Sequence, residues 1–195
     1  MNKRIEFISP EEFAKLLKAN KDKELEVAMI LGFGSGLRIS EIIGYKRKFK
    51  QRKDKETGEV KQIPDNTEIP PLTAEQIDLE KHQIRLDEAK GGKWRIAPAS
   101  RGLKPKHLKL LPLKVERRTL QNRFYRLIEK VLGKKISFHI LRHGFGNYCV
   151  NVLNMPITKV QSYMGHSSIA VTGIYAKANP EQAINDFWKA VGGEE

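Results

Sequence analysis

The stretch SFHILRHGFG, residues 137–146, holds three groups that can carry positive charge within five positions. His139 and His143 are four positions apart, and Arg142 is three positions from His139. An α-helix brings residues three and four apart onto one face. A helix here would therefore present an arginine fork beside two imidazoles, a pattern that taken alone is more typical of a basic helix face than of a binding site.

Zinc is a poor explanation of this histidine pair. Metalloproteases with the same spacing have a glutamate between their two histidines, and this stretch has none. The single cysteine, Cys149, lies on the same predicted helix among apolar residues, where a buried thiol is expected. A phosphate fits better, because a guanidinium offers two parallel donors and an imidazole can move a proton near neutral pH.

The overall charge points to a polyanionic partner. Lys and Arg number 36 against 23 Asp and Glu, which gives a formal net charge of +13. Nucleic acid is the first candidate and an anionic membrane surface the second, while a solvated basic surface is the alternative. No signal-peptide pattern or membrane-length apolar run is present. We therefore expect a soluble, cytoplasmic protein, which favours nucleic acid over lipid.

The pattern along the chain predicts an α+β fold, mostly α-helical, with one small antiparallel β-sheet. Short alternating runs at 76–79, 82–86 and 93–98 indicate the sheet, and Gly91-Gly92 indicates a hairpin. Residues 46–71 are highly charged and end in two prolines, which indicates a mobile surface insertion. Helices are predicted from Ser9-Pro10 onward, at 23–34, from Arg38, at 116–132, 139–153, 156–164, 168–177 and 180–191.

Three further motifs make the pattern specific. GLRISE, residues 36–41, places Arg38 after a double-glycine break, at a helix start that also favours anions. AKGGKWR, residues 89–95, places Lys90 at the lip of the hairpin. MGHSSIAVTGIY, residues 164–175, gives His166 after a glycine and Tyr175 nine residues later.

With HILRH, residues 139–143, these motifs resemble the tyrosine recombinase family, the phage-type integrases and Xer-like site-specific recombinases. The resemblance covers roughly residues 9–191 and implies the catalytic-domain fold of that family. It implies one catalytic domain over 1–195, with a charged insertion at about 46–71 and a helical tail at about 180–191. The N-terminal core-binding domain is expected to be absent, because only about eight residues precede the first helix.

The resemblance implies that Tyr175 attacks a DNA phosphate and forms a 3′-phosphotyrosyl intermediate. Arg38 and Arg142 would clamp the scissile phosphate, where fixed cations stabilise the charge that develops on its oxygens. Neighbouring arginines would also favour the phenolate of a tyrosine, whose pKa is about 10 in model peptides. Rejoining needs no ATP, metal or cofactor, because the ester is close in energy to the bond it replaces.

The other catalytic positions implied by the resemblance move protons or bind phosphate oxygens. Lys90 would be the general acid for the leaving hydroxyl, and Lys93 in the same hairpin competes for that role. His139 would assist proton transfer, and His166 would bond a phosphate oxygen.

Double-stranded DNA is the expected partner. The basic residues predicted to contact it are Lys46, Arg47, Lys48, Lys50, Arg52, Lys53, Lys93, Arg95, Arg101, Lys104, Lys106 and His143. For the charged insertion, a solvated loop and an arm that follows the phosphate backbone are both open interpretations. The apolar stripe of the tail at 180–191 either folds onto its own domain or docks on the next protomer of a DNA-bound tetramer.

Two other functions compete with site-specific recombination. A type IB topoisomerase uses a similar set of residues to relax supercoils, but usually has lysine in place of His139 and lacks the GHSS turn near the tyrosine. A DNA-binding module without catalysis is the second competitor, and it ranks low because all six catalytic positions are filled.

Overall fold

Seven α-helices and five strands form the part of the chain that the computed structural model describes, residues 7–53, 58–89 and 93–165. The helices are α1 (Pro10–Ala19), α2 (Lys23–Gly34), α3 (Ile39–Ile43), α4 (Pro105–Leu108), α5 (Arg117–Leu132), α6 (His139–Asn151) and α7 (Ile157–Met164). The strands are β1 (Tyr45–Lys53), β2 (Val60–Ile69), β3 (Ile77–Asp78), β4 (Gln83–Ala89) and β5 (Lys93–Pro98), with a 3-10 turn at Ala74–Gln76. The mostly helical α+β class is confirmed.

The start of α1 follows the predicted capping pattern. The Ser9 hydroxyl accepts from the Glu12 N–H at 3.2 Å, and the Glu12 carboxylate accepts from the Ser9 N–H at 3.1 Å. These bonds satisfy two N–H groups that a helix start leaves without partners. The amphipathic helix then buries Leu16 completely.

The main core lies around α2, which is apolar on all sides. Leu31 of α2, Phe124 of α5 and Leu141 of α6 are all fully buried in one cluster. Helices α2 and α6 approach closely at Gly32, where a Cβ would lie 3.2 Å from the Cβ of Leu141. A smaller cluster holds α6 against α7 and includes Cys149, whose burial raises the pKa of its thiol to about 12.

The three short predicted strands form the sheet β3-β4-β5, and all of its pairings are antiparallel. Residues 90–92 of the predicted turn lie outside the described residues. The inward positions Ile84 and Ala97 are fully buried. Residues 166–195, including the predicted helices at 168–177 and 180–191, also lie outside the described part.

The prediction of a mobile insertion at 46–71 is wrong, and so is the prediction of only one sheet. Strands β1 and β2 form a second antiparallel sheet, a hairpin that pairs Tyr45 with Ile69 at its base and Lys53 with Val60 near its tip. Cross-strand ion pairs offset its charge density, because Asp65 accepts from Arg47 and lies 3.9 Å from the Lys50 ammonium. None of the described helices is long and apolar enough to span a bilayer.

Candidate active site

Arg38 caps the start of α3 and reaches the end of α7. Its Nη1 donates to Glu41 Oε1 at 2.9 Å, its backbone N–H donates to Glu41 Oε2 at 2.8 Å, and its Nη2 donates to the Gly165 carbonyl at 3.2 Å. Gly36, two residues earlier, has φ +67°, and a Cβ there would lie 2.4 Å from the Phe145 ring. The turn before Arg38 therefore requires glycine for both its conformation and its packing.

The Arg142 side chain, on α6, reaches the same end of α7. Its side chain is 2% exposed, and it donates to the carbonyls of Gly36 and Met164. A buried guanidinium is tolerated only when its donors have partners, and these two carbonyls supply them. Two arginines distant in sequence thus meet at the C-terminal end of α7, and we call Arg38 and Arg142 the clamp arginines.

Glu41 lies at the centre of this cluster, and its role was missed in the sequence although the GLRISE motif contains it. Burial opposes its ionisation, but the guanidinium groups of Arg95, Arg38 and Arg142 outweigh that effect and hold the pKa of Glu41 below its usual value. The spacing of three positions from Arg38 is the only sequence signal, because it places the two side chains on one face of a helical turn.

Arg95, one of the predicted DNA contacts, is buried among protein groups in this structure, and its contact with DNA stays a prediction. It is 8% exposed, its Nη2 donates to Glu41 Oε2 at 2.8 Å, and its Nη1 donates to the Tyr163 carbonyl. The reason is electrostatic: Glu41 offers a buried negative charge directly opposite strand β5.

His139 and His143 pack edge to face on α6, with ring centroids 4.6 Å apart. His139 remains accessible to solvent, whereas His143 is half-buried. Desolvation against the helix, together with His143, Arg142 and Arg38, lowers the pKa of His139 to about 4. The imidazole is therefore neutral at pH 7 and able to accept or relay a proton.

We expect an NMR titration of the His139 ring to show a midpoint near pH 4, and Arg142→Met to raise that midpoint because one repelling charge is removed. The unfolded state takes up this proton first, so His139 makes stability fall as the pH drops from about 6.5 to about 4. A His143→Gln control should also raise the midpoint, and a wild-type midpoint above 6.5 would contradict this environment.

Three of the six predicted catalytic residues, Lys90, His166 and Tyr175, lie outside the described residues. Lys93, the competitor for the lysine role, begins β5. The structure brings together the other three, Arg38, His139 and Arg142, around Glu41 and the end of α7. Within the described ranges, no three His, Cys, Asp or Glu side chains are grouped so that they could hold a metal ion.

Most of the predicted DNA-contact residues are exposed. This holds for Lys46, Lys48, Lys50, Arg52, Arg101, Lys104 and Lys106, while Arg47 and His143 are half-buried. Some of these charges already have protein partners: Lys46 lies 3.0 Å from Glu68, and Lys106 lies 3.7 Å from Glu26. Lys53 lies at the end of β1.

Comparison with known proteins points to one family. The sequence model of the phage integrase family matches residues 109–182, which include HILRH and the segment that leads to Tyr175. Together with the relatives below, this match supports a catalytic domain of the tyrosine recombinase type. This match agrees with the motifs that suggested the resemblance.

Curated proteins that are similar to this chain include Xer tyrosine recombinases. The XerC-like tyrosine recombinase of Caldanaerobacter subterraneus subsp. tengcongensis is 24% identical over 93% of this chain and 52% of its own length. The XerA of Pyrococcus horikoshii is 24% identical over 94% of this chain and 60% of its own length. The chain thus spans between half and two thirds of these relatives.

Solved structures show the same fold. A crystal structure of XerA recombinase matches with a TM-score of 0.60 at 20% identity, covering 98% of this chain and 66% of that one. The Tn1549 transposon integrase, solved in complex with transposon right-end DNA, matches with a TM-score of 0.59 at 16% identity, covering 98% of this chain and 68% of that one.

Proposed function

We propose that this domain cleaves and rejoins DNA as a site-specific recombinase, through a covalent 3′-phosphotyrosyl intermediate. The observation that carries the proposal is the convergence of Arg38 and Arg142 at the end of α7, in a chain of this family. Two fixed guanidinium groups in a partly dry site are suited to the charge that develops when a phosphodiester is attacked.

In the proposed reaction, the Tyr175 oxygen attacks phosphorus and the bond from phosphorus to the 5′ oxygen breaks. The tyrosine proton passes to solvent, directly or through the neutral His139 imidazole, which thus assists proton transfer. The leaving 5′ oxygen gains a proton from Lys90. Arg38, Arg142 and His166 bind the non-bridging oxygens. Attack by the 5′ hydroxyl of another strand then breaks the bond to Tyr175, so no bond energy has to be supplied from outside.

The experiment is relaxation of supercoiled plasmid in EDTA, with a search for a protein–DNA adduct that resists SDS. Relaxation together with an adduct supports phosphotyrosyl chemistry. DNA binding without either result would favour the catalytically silent module. A plasmid that carries two copies of one site distinguishes a recombinase from a topoisomerase-like enzyme. The recombinase yields rearranged products, whereas the topoisomerase-like enzyme yields only relaxed DNA.

Double-stranded DNA is the proposed partner, and the β1–β2 hairpin is the proposed arm. Directly opposed residues of an antiparallel pair share a face, and successive residues alternate between faces. The pairs Lys50–Ile63 and Arg52–Lys61 therefore place three cations on one face of the distal hairpin. At the neighbouring pairs Phe49–Pro64 and Gln51–Gln62, the opposite face carries neutral residues.

Removing this cationic face should weaken DNA binding without sequence preference. For Lys50→Gln, Arg52→Gln and Lys61→Gln together, we expect the slope of log affinity against log salt to fall by up to about 3, since each phosphate contact contributes about 0.9. The measurement is fluorescence anisotropy on a 30-base-pair duplex across a salt series.

The matched control removes three exposed cations from α5, through Arg118→Gln, Arg126→Gln and Lys130→Gln. This variant carries the same net charge as the hairpin variant. An equal loss of slope in both would mean that net charge, and not the hairpin, sets the affinity.

Assembly is a further part of the proposal. Exchange of the segment at about 180–191 between protomers would couple cleavage at Tyr175 to formation of a tetramer on paired DNA sites. A DNA-acting enzyme of this kind, prokaryotic or viral in origin, would work in the cytoplasm of the host cell.

A further inference from the structure

Arg95 is a third arginine at the centre of the site, supplied by strand β5. Its Nη2 lies 2.8 Å from Glu41 Oε2, and the two side chains are 8% and 1% exposed. Its Nη1 donates to the Tyr163 carbonyl on α7, while its Nε is buried with no hydrogen-bond partner among the described residues. A buried donor without a partner costs free energy, and it is found where other strong interactions hold the group in place.

The three arginines do not share Glu41 equally. Arg95 and the backbone N–H of Arg38 both hold Oε2 at 2.8 Å, and Arg38 Nη1 holds Oε1 at 2.9 Å. Arg142 Nη1 lies 4.0 Å from Oε2, which is too long for a hydrogen bond. The carboxylate is thus directed toward Arg95 and Arg38 and away from the buried clamp arginine.

The end of α7 is shaped to receive the Arg95 side chain. A Cβ at Gly165 would lie 2.7 Å from Arg95 Cδ and 2.8 Å from its Nε, and the φ of Gly165 is +60°. Glycine is therefore required here both by backbone conformation and by the close approach of the arginine. The Arg95 side chain therefore lies directly against the end of α7.

We propose that Arg95 is a positioning residue that holds Glu41 away from Arg142, so that a phosphate meets this buried clamp arginine before the protein's own carboxylate does. The proposal rests on the proposed function. Loss of Arg95 would leave Glu41 Oε2 with an unused acceptor position in a buried site, and Arg142 Nη1 is only 4.0 Å from that oxygen. Without Arg95, Glu41 would pair with Arg142 in competition with the substrate.

The test is a double-mutant cycle of Arg95→Met and Glu41→Gln, read as the rate of adduct formation on nicked duplex DNA. Arg95→Met should slow the adduct about 100-fold, while the Kd for DNA, measured in a Tyr175→Phe background, changes less than about threefold. The double variant should form the adduct about tenfold faster than Arg95→Met, because the competing carboxylate has become neutral. A coupling of this size is ordinary for charged groups in contact. Losses that simply add would overturn the proposal.

Two further variants exclude a general effect on folding. Arg95→Lys keeps a cation near Glu41 but cannot bond Tyr163 at the same time, so its rate should lie between those of wild type and Arg95→Met. Arg123→Met removes an arginine that pairs with Asp22 at 2.8 Å, and it should leave the adduct rate unchanged. Equal slowing by Arg123→Met would assign the effect to stability.

A second readout needs no catalysis. Inorganic phosphate bound at the clamp raises the melting temperature, and at a fixed phosphate concentration the rise is larger when the affinity is higher. Arg95→Met should reduce that rise and the double variant should restore it. If the wild type forms no adduct but the melting temperatures follow this order, the proposed function fails and the role of Arg95 stands. If phosphate raises the melting temperature of Arg95→Met as much as that of the wild type, the role of Arg95 is overturned.

Discussion

Replacement of Tyr175 by Phe is expected to abolish the SDS-resistant adduct and to slow plasmid relaxation by at least about 1,000-fold, a loss typical of removing a nucleophile. The substitution deletes only the oxygen that would form the bond to phosphorus. DNA affinity and its salt dependence should stay the same, because the phenyl ring carries no charge. The measurement compares adduct, relaxation and anisotropy for the same preparations.

Tyr163 provides the matched control. It lies on α7 next to the site, and its carbonyl accepts from Arg95. Tyr163→Phe makes the same chemical change at a tyrosine beside the clamp arginines and should retain adduct formation. Loss of the adduct in Tyr163→Phe and its survival in Tyr175→Phe would move the nucleophile to position 163 and overturn the assignment.

The second large effect is expected at Arg142. Arg142→Met should slow adduct formation about 1,000-fold, because one of the two clamp guanidinium groups is lost from a dry site. It should also lower the free energy of unfolding by about 2–4 kcal/mol, because the carbonyls of Gly36 and Met164 lose their donor. Urea unfolding measures the second effect, and single-turnover cleavage well below the melting temperature isolates the first.

Arg142→Lys separates charge from geometry. A single ammonium cannot bond both carbonyls and present a fork to a phosphate, so most of the loss in rate should remain although the charge is kept. The exposed Arg126→Met should change neither rate nor stability by a measurable amount. Full activity in Arg142→Lys would show that charge alone is sufficient at this position.

Most of the described helices, though not α4, were predictable because their signals are local. Ser9 and Glu12 form the cap that their spacing predicts, and α5 ends at Leu132, immediately before Gly133. The hairpin was not predictable from composition. Ile69 is buried at its base opposite Tyr45, whereas Phe49 and Val60 farther out are exposed and most positions of β1 are charged. Its pairing depends on contacts between residues far apart in sequence.

The candidate site likewise has residues that could be predicted from local motifs and residues whose position depends on tertiary contacts. Arg38 and Arg142 stand in short motifs, so their importance could be predicted, whereas the central position of Glu41 depends on strand β5 passing beside it. The sequence Trp94-Arg95-Ile96 suggests that the arginine faces solvent, but the reverse is found: Arg95 is 8% exposed, and Trp94 and Ile96 are 70% and 45% exposed. A carboxylate from α3 reverses the usual preference of a half-buried strand.

The way the hairpin joins the domain has a consequence for how such proteins diversify. The Leu72 N–H donates to the Ile42 carbonyl at 3.1 Å, so the backbone is already joined across the base of the hairpin. At Gly44 the two chain segments approach so closely that a Cβ would lie 3.0 Å from the Pro71 nitrogen. An arm attached at such a junction can be lengthened, exchanged or excised while Arg38 and Glu41 stay in place. The length of substrate that the protein contacts can therefore change separately from its catalytic residues.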